Sequence, residues 1–246
     1  LKTIEALLQT IEQDAPVRDV TVGSFWTAVV IATDPVRCGL AASLRSAGHP
    51  DGPAVQSAGA LLDRSARDLA SLLRSPSTLE ASIGMAAFNA LLDVDVTGCV
   101  DVSAEQVILE RGAGRNVAVV GHFHFIERIR QSFAQCWVLE QRPREGDVPA
   151  ERAAEFLPLA DVVAITGTSL INHTFDGLME MCPPGAYVIA LGPSAPLSPV
   201  LLDVGLDAVC GTVVTDATQV QRSVRQGATF RQIKGVGGVR LVALQK

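Results

Sequence analysis

Three short apolar runs constrain this chain more than any other feature. Val117-Ala-Val-Val120, Asp161-Val-Val-Ala-Ile165 and Tyr187-Val-Ile-Ala-Leu191 carry almost no polar break, and Gly121, Gly167 and Gly192 follow them within two residues. A strand without polar alternation must be buried on both faces, and a parallel sheet covered by helices supplies that burial. Segments of helical spacing alternate with these runs. Ile126, Ile129 and Phe133 follow the first, Glu151–Leu157 precedes the second, and residues 172–181 follow it. Cys136–Leu139, Ala208–Gly211 and Val239–Leu244 add strands, with a helix over 216–225 before the last. Alternation of this kind predicts right-handed βαβ units in a Rossmann-like parallel sheet.

The first hundred residues have a different rhythm. Ile4, Leu7, Leu8 and Ile11 stand at helical spacing ahead of Pro16. Residues 20–22, 26–33 and 38–44 read as strands, the first pair joined at Gly23-Ser24, and a Gly- and Pro-rich loop covers Gly48–Pro53. Two helices follow, one over residues 58–74, and a second opened by the capping-box pair Ser77 and Glu80. The expectation is a fold of class α/β: a smaller α+β domain over 1–105, then a Rossmann-like domain over 106–246.

Composition narrows the function. A formal charge of −6 with no basic stripe speaks against nucleic acid. No apolar stretch approaches the roughly 20 residues of a membrane span. No basic and apolar leader opens the chain, so a soluble, cytoplasmic protein is expected; it begins at Leu1 without Met, so the native N-terminus is expected to be missing. The five cysteines, Cys38, Cys99, Cys136, Cys182 and Cys210, never fall in C-x-x-C spacing and read as reduced, structural thiols.

Ligands of open parallel sheets bind outside the carboxyl ends of the strands. The segments there are Gly121-His-Phe-His-Phe125, Thr166-Gly-Thr-Ser-Leu-Ile-Asn172 and Gly192-Pro-Ser-Ala-Pro-Leu-Ser-Pro199. Gly167, with Thr168 and Ser169 where a helix begins, reads as an anion cradle for phosphate, sulfate or carboxylate; a plain helix cap reads equally well. The first segment lacks the later glycines of a dinucleotide fingerprint, so a standard NAD mode is not expected, although Glu140 stands where an acid would hold a ribose and leaves an adenosine-type ligand open. His122 and His124, two apart, would share one side of a continuing strand, with His173 as the best third metal ligand. No closed metal set is evident, and hydrogen bonding to nearby loops is the plainer role. His49 reads as an exposed loop residue. Asn89, on the apolar face of its helix, reads either as reaching a cleft or as tying down backbone, and Arg37 faces either an anion or solvent.

Four motifs, in order, give a resemblance that spans nearly the whole chain. Ala81-Ser-Ile-Gly-Met-Ala-Ala-Phe-Asn-Ala-Leu-Leu92 resembles the N-terminal signature of the "putative heavy-metal chelation" family. Val120-Gly-His-Phe with Phe125-Ile-Glu-Arg128 is similar to its first Rossmann turn, and residues 161–172 and 191–199 complete the match. The resemblance implies a first domain like the small N-terminal domain of enolases, a site between it and the Rossmann-like domain, and a role with metal chelators. His124 departs from the family pattern, where proline is expected. The site residues expected are His122 as the polar or acid/base group, with Arg37, Asn89, Gly121, Glu140, Thr166, Gly167, Thr168, Asn172, Gly192 and Ser194 around a small anionic or nucleotide-like ligand. A non-catalytic metal or metal-chelate carrier is the alternative. Catalysis, cofactor and homo-oligomerisation are left open.

Overall fold

A computed structural model describes residues 1–45 and 52–246, so His49 and most of the Gly48–Pro53 loop lie outside the described residues. The chain opens with α1 (Lys2–Gln9), which buries Ile4 and Leu7. An antiparallel meander follows: β1 (Val17–Val22), β2 (Trp26–Ile31) and β3 (Arg37–Ala42). The helix expected from residue 58 starts later. In α2 (Ala66–Ser71) the Ser65 hydroxyl accepts from the Asp68 N–H, and the Asp68 carboxylate accepts from the Ser65 N–H, which fixes the start. The next helix, α3 (Thr78–Leu91), begins at Ser77 as its cap residue predicts. Glu80 does not close the box, because its buried carboxylate accepts from the Gln56 N–H at 2.8 Å and from the Ser75 hydroxyl.

Small residues set how closely α3 lies on β3. A Cβ on Gly39 would stand 2.0 Å from the Ala86 carbonyl oxygen, and one on Gly84 would stand 2.2 Å from the Leu73 nitrogen. Backbone therefore meets backbone on both sides of the helix, and Ala81, Ile83, Met85, Ala86, Ala87 and Phe88 are fully buried.

The second half holds α4 (Ala104–Gly112), β4 (Asn116–Val120), α5 (Ile126–Ile129), β5 (Gln135–Glu140), β6 (Val148–Pro149), α6 (Ala153–Phe156) and β7 (Val162–Thr166). After these come α7 (Thr168–Ile171), α8 (Phe175–Met181), β8 (Tyr187–Leu191), α9 (Pro199–Asp203), β9 (Ala208–Val214), α10 (Ala217–Arg225), α11 (Phe230–Gly235) and β10 (Val239–Gln245). The seven strands lie in the order β10-β9-β8-β7-β4-β5-β6. All pairings are parallel except β10 against β9. The three apolar runs are its three central strands, and Val117–Val119, Val162–Ile165 and Val188–Leu191 are buried as a strand covered on both faces demands.

Two further features depart from the sequence reading. The helix expected over 172–181 starts three residues later, as α8, and is separated from the single turn α7 by a break at His173, φ 63°. The last two helices also do not cover the large sheet alone. Val220, Val224 and Ile233 pack on Ala28, Val30, Cys38 and Leu40 of the small sheet, opposite α3. That second cover explains why β2 is apolar without alternation: Thr27–Ile31 is buried on both faces. Among the described residues no helix is long and apolar enough to cross a membrane.

Two glycines should therefore respond with opposite sign. Gly39→Ala should lose about 1–3 kcal/mol or more through overpacking. Gly177→Ala, in α8 with nothing within 4 Å of its added Cβ, should gain about 0.5–1 kcal/mol. Urea denaturation of the two variants checks both signs.

Candidate functional site

The sheet order reverses between β4 and β7: β5 and β6 lie to one side, β8 and β9 to the other. Side chains leaving these two carboxyl ends diverge and leave a crevice, the usual ligand position of such sheets. A cavity of about 400 Å³ lies here, lined by all three expected segments and closed by Trp26 and Leu44 of the N-terminal unit. A second, shallow hollow of about 460 Å³ lies between Asp14–Val17 and Leu62–Ser65, away from every strand end of the large sheet.

The first segment is built by Gly121. At φ 99° it turns the chain out of β4, a conformation that favours glycine. The strand therefore ends at Val120, and the two histidines do not share a face. His122 lines the cavity, whereas His124 is exposed. Glu140 stands at the end of β5 as expected, with its carboxylate folding the turn: Oε2 accepts from the His122 N–H at 2.9 Å and Oε1 from the Gln141 N–H at 2.8 Å. His122 in turn places Nδ1 3.2 Å from Asp147 Oδ2, and the Asp147 side chain is only 3% exposed. The same carboxylate oxygen accepts from the Arg144 N–H at 3.0 Å. Sequence reading missed Asp147, since nothing in the polar loop 141–150 separates it from Glu145. Trp26 and Leu44 were missed as well, being unremarkable ends of strands.

The second segment is less open than a helix start suggests. Its helix, α7, is a single turn; the Gly167 N–H donates to the Leu191 carbonyl at 2.9 Å and the Ser169 hydroxyl to the Thr166 carbonyl at 2.7 Å. Two of the donors expected to cradle an anion are thus consumed by the fold. The hydroxyls of Thr166 and Thr168 face each other at 3.0 Å and line the cavity with Asn172, whose Oδ1 accepts from Thr174. Gly167 is required by close approach, because a Cβ there would stand 2.3 Å from the Ala195 nitrogen.

The third segment joins the two units. The Ala42 N–H donates to buried Ser194 Oγ at 2.9 Å, and Asn89 Nδ2 donates to the carbonyls of Leu40 (3.0 Å) and Pro193 (3.3 Å). Gly192, Pro193 and Ser194 line the cavity, but Asn89 does not; it ties backbone together across the interface. Arg37 is also absent from the lining. It lies at the far end of β3, donating to the Leu92 carbonyl at 3.4 Å with Asp93 at 3.8 Å. His173 is no third ligand either: its Nε2 meets the Leu73 carbonyl oxygen at 2.8 Å and holds the break between α7 and α8.

A family model described as "Putative heavy-metal chelation", DUF364, matches residues 104–243, and a second of the same description, DUF4213, matches residues 4–92. The chain belongs to the DUF364 family. A DUF364 protein of unknown function from Desulfitobacterium hafniense superposes with a TM-score of 0.85 at 25% identity, covering 100% of this chain and 98% of that one. One from Pyrococcus horikoshii superposes at 0.84 with 15% identity and the same coverage. A dipeptide epimerase from Methylococcus capsulatus reaches a TM-score of 0.25, which carries no argument for an enolase-like first unit. No curated protein matches the chain.

The family description connects this DUF364 chain to metal or metal-chelate binding. Its donors are sparse, however. Among the described residues no group of three or more His, Cys, Asp or Glu side chains is placed to hold a metal ion. The five cysteines are unpaired thiols; burial pushes Cys38 and Cys210 up to about 12 and Cys182 up to about 11, so none of these three offers a thiolate near neutrality.

Asn89 and Ser194 hold one loop from one side. Asn89→Ala and Ser194→Ala should each destabilise by about 1–3 kcal/mol. Once either tie is cut the loop is partly free, so the double variant should lose less than the sum, by about 0.5–1 kcal/mol. A double-mutant cycle in urea measures the coupling; strict additivity would show that the two contacts are independent.

Proposed function

We propose that this DUF364 protein binds a small organic metal chelate in the cleft between units 1–105 and 106–246. The observation that carries the reading is the charge of the lining. Among the described residues neither Lys nor Arg faces the cavity, Glu140 is its one carboxylate, and the remaining polar groups are His122, Gln141, the hydroxyls of Thr166, Thr168, Ser169, Thr174 and Ser194, and the Asn172 amide.

A free polycarboxylate or a phosphate would lose its hydration here without gaining a counter-ion. In a metal complex of the same chelator the metal cancels most of the charge, and neutral donors suffice to orient the carboxylate oxygens. Trp26, Leu44 and Phe123 would cover the carbon skeleton. Thr166, Thr168 and Asn172 are the proposed contacts to the oxygens, and the backbone at Gly121 and Gly192 forms the walls. A second reading, a proton-transfer enzyme acting on the chelator, is favoured by the Asp147 carboxylate behind His122, an arrangement that sets an imidazole to accept a proton.

Thermal unfolding with zinc citrate, citrate alone and inorganic phosphate tests the reading. The complex should raise Tm; at a hundredfold excess over Kd the expected stabilisation is about 2.7 kcal/mol. Citrate and phosphate should leave Tm in place. Thr168→Ala should weaken the complex by about 1 kcal/mol, roughly fivefold, through loss of one hydrogen bond, with the Tm of the free protein barely changed. A larger shift from phosphate than from the complex would reverse the assignment of ligand charge.

A further inference from the structure

The donor set does not fit a bare heavy-metal ion, yet one side chain in the cleft is built like a metal ligand. His122 faces the cavity with Nδ1 held 3.2 Å from a carboxylate that is 3% exposed, and that carboxylate is itself fixed by the Arg144 N–H. An imidazole whose Nδ1–H donates to a carboxylate keeps its lone pair on Nε2, and a buried carboxylate behind the ring is the usual outer partner of metal-bound histidine. His122 Nε2 has no hydrogen-bond partner among the described residues and is not a buried unsatisfied atom, so it is accessible on a residue that lines the cleft. Glu140 fixes the backbone N–H of the same residue, so His122 is held both at its backbone and at Nδ1. This is more support than a loop histidine needs for its own packing.

We infer that the metal arrives already held by its chelator and that His122 Nε2 is the single protein atom that coordinates it, with Asp147 as the positioning residue; this rests on the cleft reading above. In the step, Nε2 donates its lone pair to the metal, one metal-bound water leaves, and no proton moves. The protein would then select complexes with an open coordination position and reject both the free ion, for which it has too few donors, and a saturated complex.

Visible-absorption titration of the full chain tests the inference. The chain has four histidines; a His49→Ala/His124→Ala background leaves His122 and His173, whose Nε2 is engaged. Nickel nitrilotriacetate, which keeps two water positions, should shift its ligand-field band to shorter wavelength at one complex per chain. Nickel ethylenediaminetetraacetate, which keeps none, should show no shift. Asp147→Asn should weaken the nitrilotriacetate complex about tenfold, and His122→Ala should abolish the shift. His122→Gln serves as a second variant, and circular dichroism establishes that each remains folded. A shift that survives in folded His122→Ala or His122→Gln, or a one-to-one free-nickel site that survives in them, overturns the inference. Trp26 fluorescence in a Trp137→Phe background separates the two levels. Quenching without a band shift refutes the coordination bond and leaves the cleft reading standing, whereas absence of both refutes the two together.

Discussion

The close contact between the Gly167 turn and the Gly192–Ala195 loop is the constraint on which the rest of the site depends. With no side chain at position 167, the loop after β8 lies against the turn after β7. It can then present Ser194 Oγ to the Ala42 N–H and the Pro193 carbonyl to Asn89. Those two hydrogen bonds fix the end of β3, and through it Trp26 and Leu44, over the carboxyl edge of the large sheet. A side chain at 167 would push the loop outward and separate the roof of the cavity from its floor. The helices α10 and α11 lock the same arrangement from the other face of the small sheet.

Much of this was legible in the sequence because it follows from burial. Unbroken apolar runs require covered strands, so the central strands and the edge on which their loops gather could be read directly. The capping residue Ser77 also marks a true helix start. What could not be read depends on contacts between distant segments. The break at His173 follows from a hydrogen bond to Leu73, a hundred residues away in the chain. Asn89 was placed near the cleft, but which of its two readings holds is decided by two carbonyls from different units. Asp147 is one acidic residue in a polar loop until the edge of the sheet brings it behind His122. The i, i+2 argument for His122 and His124 failed for a local reason: Gly121 adopts a positive φ, and the strand periodicity stops there.

The chemistry of the cleft is defined as much by charge as by shape. A Rossmann-like sheet that binds nucleotides frees an acidic residue at the second strand for the ribose and backbone amides for the phosphates. Here Glu140 occupies that position, but its carboxylate is spent on the His122 and Gln141 amides, and the Gly167 amide is spent on Leu191. Neither group is therefore free to hold a ribose or a phosphate. What it offers instead is a partly apolar chamber with neutral donors and one backed imidazole, which suits a compact, charge-compensated complex.

A crystal structure of the protein grown with a metal complex having an open coordination position tests the central claim most directly, because anomalous scattering at the metal edge locates the metal independently of model bias. The account predicts one anomalous peak in the cavity between Trp26, His122 and Thr168, within bonding distance of Nε2 and surrounded by chelator density. A peak ligated by cysteines, or at the hollow beside Ser65, with the switch-point cavity holding only solvent, would contradict it.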